Sequence, residues 1–205
     1  MSHATPMSLI TVPLAIYFGV LGLLHSGSRP RLVAGPLDAA LLAGGLGGII
    51  AFGPVGHLIV GKILGGSTMV AWTTWGAIVA VGTAIAMTSA SRRVAIYNIR
   101  PEELHRLARQ AFGSLQGGAC PTIDGVEDEA REHGIAIRSS RLLRAGVVEA
   151  RGRNPEALIL ALRPSLVALL RRAEAGRSAM AQAMFLLAAL IFLAPWITDA
   201  IARWK

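Results

Sequence analysis

Residues 91–116, SRRVAIYNIRPEELHRLARQAFGSLQ, open a polar run that continues to Arg177 between stretches too apolar for a water-facing surface. After Arg92 and Arg93, the β-branched and aromatic run from Val94 to Ile99 reads as a strand. Pro101, Glu102 and Glu103 then start a helix. Proline needs no amide donor at the first helical position, and carboxylates there meet the positive end of the helix dipole. Leu104, Leu107, Ala108, Ala111, Phe112 and Leu115 recur at helical spacing and form one apolar face that another layer has to cover. Gly117 and Gly118 end the helix.

The rest of the run is less regular. Residues 119 to 133 are polar. Asp124, Glu127, Asp128, Glu129 and Glu132 lack the spacing of a calcium loop, so this segment reads as a solvated loop or a short irregular helix. Ile135 and Ile137 alternate with Ala136 and Arg138, as in a strand, and Val147 to Arg151 is a second. Ala157 to Leu162 is a third, although its continuous apolar run also suits the start of a helix. Pro164 opens a helix that carries Leu166, Val167, Leu169, Leu170 and Ala173 and is closed by Gly176. The order β-α-β-β-(β)-α implies a small α+β domain over 91–177, with both helices on one face of an antiparallel sheet. In element order it resembles part of a ferredoxin-like arrangement.

Around this domain the chain is hydrophobic. Its 205 residues are 53% hydrophobic and 16% charged, against roughly 25% charged in ordinary soluble domains. Four stretches approach the roughly 20 apolar residues that cross a bilayer core: 7–24, 37–61, 69–87, and 178–198 within the tail 178–205. The expected fold is a multi-pass α-helical membrane protein with four transmembrane helices and the α+β domain inserted between the third and fourth. The first span lacks the basic start of a signal peptide, so it is read as retained. Gly27, Ser28, Arg29, Pro30 and Arg31 form a short basic turn after it.

The second span is long and glycine-rich, and Gly53-Pro54 is its natural kink, because proline removes a helical hydrogen bond and clashes with the preceding turn. Gly53, Pro54, His57 and Lys62 therefore form a candidate polar site at membrane depth, like the broken helices that line transporter paths. A packing kink, with His57 near the interface and Lys62 reaching for headgroups, is the simpler reading. Gly44 with Gly48, and Gly76 with Ala80 and Ala84, would let the second and third spans approach closely.

Charge sets the orientation. Arg29, Arg31, Arg92, Arg93, Arg171, Arg172 and Arg177 flank the spans on the insert side, against Lys62, Arg203 and Lys205 on the other. The insert is therefore expected in the cytoplasm of a cell with an inner membrane, and both termini outside. Arg92, Arg93, Arg171, Arg172 and Arg177 are placed to meet anionic lipid headgroups. Fifteen arginines against ten acids leave the insert at +5. Tyr97 and Phe112 are its only aromatics, so the basic balance does not point to nucleic acid.

No phosphate-binding loop, His-Glu-x-x-His, paired cysteines, nucleophile elbow or dinucleotide fingerprint is present. The lone Cys120 makes no internal disulfide. No metal or cofactor is expected, and enzymatic activity is left open. The expected role is interaction, assembly or regulation by the cytoplasmic domain, with the bilayer and a second copy or another membrane protein as partners. The alternative is a small oligomeric transporter or channel lined by the kinked span.

Overall fold

The structure, a computed structural model, describes residues 4–64, 69–116, 120–122, 125–127, 133–176 and 178–204. In chain order the elements are α1 (Ala4–His25), β1 (Arg31–Ala34), α2 (Gly35–Phe52), α3 (Pro54–Leu58) running into a π-helical turn (Ile59–Ile63), α4 (Met69–Ser89), β2 (Arg93–Tyr97), α5 (Pro101–Gln116), β3 (Cys120–Thr122), β4 (Gly125–Glu127), β5 (His133–Ser140), β6 (Ala145–Gly152), α6 (Pro155–Arg172) and α7 (Ala179–Arg203). The chain is mostly helical with one antiparallel sheet. It divides into a helical unit, Met1–Gly22, Ala39–Met87 and Gln182–Lys205, and a sheet unit, Leu23–Asp38 and Thr88–Ala181.

The sheet unit is built on the strand order β1-β2-β6-β5-β4-β3. β2 and β5 both run antiparallel to β6, which lies between them. They are therefore parallel to each other, and β2-α5-β5 is a split β-α-β unit. A ferredoxin-like order would add a strand after the second helix. Here the strand beside β2 comes from upstream instead: β1 pairs antiparallel with β2, with Leu32 opposite Ile96 and Ala34 opposite Val94. The segment read as a short basic turn thus leads into an edge strand, and the sheet unit draws on two pieces of chain separated by α2, α3 and α4.

One sheet face carries the core. Val94, Ile96, Ile135, Ile137, Val148 and Ala150 pack against Leu104, Phe112 and their neighbours on α5, and against Leu158, Leu162, Leu166 and Leu170 on α6. β2 is buried on both faces, Ala95 included, as befits an inner strand.

Three readings of this unit are corrected. Ala157 to Leu162 is helix, not strand, and Pro164 lies inside α6 rather than at its start. Asn154 caps α6, its side chain accepting from the Ala157 amide at 3.3 Å, with Pro155 and Glu156 in the first turn. Pro164 is tolerated because it sits on the solvent side of α6, where the Leu160 carbonyl it leaves unbonded belongs to an exposed residue. The polar stretch 119–133 holds the β3–β4 hairpin rather than a loop or helix; Asp124, Asp128, Glu129 and Glu132 lie outside the described residues.

In the helical unit, two helices, Met69–Ser89 and Ala179–Ala202, are long and apolar enough to cross a membrane. A third follows if Gly35–Ala51 and Val55–Ile63, bent by 50° at their break, are one span. The apolar stretch Thr11–His25 of α1 is shorter. Of the small residues expected to let the second and third spans approach, Gly44 and Gly76 have nothing among the described residues within 4 Å of an added Cβ. Gly45 lies against the Tyr17 side chain and Gly22 against the Phe185 ring.

Candidate functional site

The helix break stands where the sequence placed it. Gly53 ends one helical segment and Pro54 begins the next. A Cβ on Gly53 would lie 2.2 Å from the Ile49 carbonyl oxygen, so the sharp turn requires glycine. His57 is exposed and stands edge-on to Trp72, ring centroids 5.3 Å apart. Lys62 is exposed in the π-helical turn. The break therefore brings one histidine against an aromatic ring and leaves the lysine on the surface.

The polar groups of the sheet unit converge where the chain passes between helix and sheet. His25, in the last turn of α1, is 2% exposed. It donates from Nε2 to the Leu143 carbonyl at 2.7 Å and stands edge-on to Tyr97. Tyr97 donates its hydroxyl to Asp38, in the first turn of α2. Asn98 is fully buried in the left-handed region, φ 59°, and donates from Nδ2 to the Gly27 carbonyl at 2.7 Å. The Ala175 amide reaches the Ser28 carbonyl at 2.8 Å. The end of α1, the start of α2 and the stretch after α6 are thus fastened to the end of β2, to the β5–β6 turn or to each other. His25 is a structural anchor in this network. Its role depends on Tyr97 and Leu143, which lie far away in sequence.

At the start of α5, Glu103 pairs with Arg106 at 2.6 Å, and this hydrogen bond holds its carboxyl below the usual range. Backbone hydrogen bonding first, and then Arg141, lower Glu102. A depressed carboxyl favours the fold above its ordinary value, and that contribution fades as pH falls through the lowered one. Both groups are solvent-facing, so the effect is small.

The arginines expected at headgroups divide. Arg92 meets Glu149 at 3.5 Å. Arg93 is half-buried in β2, its Nε without a partner among the described residues. Arg171 and Arg172 stand exposed in the last turn of α6; Arg177 lies outside the described residues. Arg171 borders a groove of about 340 Å³ shared with Arg29, Arg31 and an apolar floor. Sequence reasoning missed this groove, because its two sides lie more than a hundred residues apart.

Among the described residues no three His, Cys, Asp or Glu side chains are grouped to hold a metal ion. No protein family matches the sequence, and no characterised protein or solved structure matches it either.

Proposed function

We propose that the chain is an integral membrane protein of four spans, α1, the broken pair α2–α3, α4 and α7. Its sheet unit acts on the cytoplasmic side in interaction, assembly or regulation, without catalysis of its own. The pairing of β1 with β2 carries this reading. Ala34 and Val94 are register partners, so the chain between them leaves the sheet and returns to it. If it enters the bilayer there, it must cross an even number of times, which is the hairpin made by α2–α3 and α4.

Exposed surface supports the membrane. Ile78, Val81 and Ile85 of α4, and Leu186, Leu190 and Trp196 of α7, are each more than half exposed. Contiguous apolar surface on that scale is unfavourable in water and at home in lipid. The count of flanking basic residues, seven against three, favours the sheet unit inside.

Single cysteines at Arg29, Arg153 and Trp204, in a chain whose Cys120 has been replaced, test the arrangement. Arg29 and Arg153 are expected to label only after membranes are opened, and Trp204 from outside in intact cells. Labelling of Arg29 and Arg153 from opposite sides would end the four-span reading.

The alternative, a small oligomeric transporter or channel, is supported by the 50° break and by His57 and Lys62 beside it. Replacing both with alanine should then lower flux in proteoliposomes at least tenfold. Unchanged flux removes this reading and leaves the first.

A further inference from the structure

We propose that the groove between β1 and the C-terminal end of α6 holds an anionic phospholipid of the surrounding bilayer. The phosphate sits among Arg29, Arg31 and Arg171, and the first acyl methylenes lie on Leu24, Leu32 and Leu170. The proposal rests on the reading of α1 as a membrane span.

The composition of the groove selects the ligand. It has a volume of about 340 Å³, and three guanidinium-bearing residues border it, with no carboxylate lining it among the described residues. Planar guanidinium forks match phosphate oxygens in pairs, and a floor of leucines excludes water and so strengthens the attraction. A zwitterionic lipid would bring its own cation into this all-positive rim. A lipid with net negative charge does not.

The position selects a lipid over a soluble phosphate compound. Leu24 lies in the last turn of α1, so the apolar floor begins where that apolar helix ends. Acyl chains running along α1 would deliver a headgroup to this point. Leu32 belongs to the edge strand β1 and packs against the core, and Leu170 is a buried residue of α6. A ligand here would thus touch both the upstream strand and the last helix of the sheet unit.

The full-length protein would be reconstituted in nanodiscs with equal phosphatidylglycerol and phosphatidylcholine, and its retained lipid counted by native mass spectrometry. The wild type should retain phosphatidylglycerol at least tenfold over phosphatidylcholine. Each juxtamembrane arginine is worth about fivefold in such binding, so R29A/R31A/R171A should lose between tenfold and about a hundredfold of that preference. All three side chains are exposed, so the fold should survive, which equal thermal unfolding would verify. The charge-matched R109A/R151A/R153A, at exposed positions elsewhere, should stay within twofold of wild type.

Equal loss in both variants, or no preference in the wild type, would overturn the groove in favour of diffuse attraction. Displacement of the lipid by inorganic phosphate, or a co-purifying acidic protein in its place, would also overturn it. Carbonate extraction separates the two claims. Protein that stays in the membrane without a lipid preference sinks the groove alone, and protein that is released sinks the membrane reading with it.

Discussion

Phe112→Ala is expected to lower the stability of the sheet unit by about 3–5 kcal/mol. Phe112 is fully buried and heads the largest side chains in the core. It projects from α5 into the cluster formed by the inner sheet face and α6. Truncation removes the transfer free energy of the ring and leaves a cavity that α5 cannot close, because Leu104, Ala108 and Ala111 hold its register against the sheet. A unit of about 110 residues has roughly 5–15 kcal/mol in total, so this single change removes a large share. Leu115, on the same helix but 40% exposed, should cost under about 1 kcal/mol as alanine. Amide exchange of β2 and β6 reads the difference without interference from the helical unit. If the two variants exchange alike, the core assigned to α5 is wrong.

Phe112 was also legible in the sequence, and the reason marks where such legibility ends. α5 announces itself locally, with proline and acids at its start and apolar residues at helical spacing, and every one of those signals lies within sixteen residues. Ile135 and Ile137 of β5 showed the alternation expected of a strand, and Val147 to Arg151 of β6 stood out as a second. The start of α6 carried a local signal too, Asn154-Pro155-Glu156, but the unbroken apolar run behind it hid the period of 3.6. Pro164 then looked like a beginning.

β1 had no such signal. Four residues, Arg31-Leu32-Val33-Ala34, form a strand only because β2 offers an edge more than fifty residues downstream, and no local periodicity encodes a partner. The same holds for the sites. Gly53-Pro54 breaks the helix through its own backbone chemistry, which sequence states directly. The arginine groove needs Arg29 and Arg31 to meet Arg171, and only the topology of β1 brings them together.

Gly35→Ala tests that topology, and it is expected to cost about 3 kcal/mol, the upper part of the range for overpacking. Gly35 joins β1 to α2. A Cβ on it would lie 2.1 Å from the Ala90 carbonyl oxygen and 2.4 Å from that of Arg93. Both are backbone atoms, so neither can rotate away as a side-chain tip would. The Ala90 carbonyl also accepts from the Arg93 amide in the turn that leads α4 into β2. Relief therefore requires β1 to move off β2, which takes Leu32 from the core and dismantles one side of the arginine groove. At 1.4 kcal/mol per factor of ten, opening of the edge strand becomes about a hundredfold more frequent. Trypsin should then cut after Arg31 correspondingly faster in the folded protein, while Arg29 stays protected by Pro30. Gly44→Ala provides the contrast. Nothing lies within 4 Å of its added methyl, and alanine is the better helix former, so cleavage after Arg31 should be unchanged. Equal cleavage rates in the two variants would mean that β1 is not held by β2. The even number of crossings inferred from their pairing would then lose its support, and the groove would lose one of its walls.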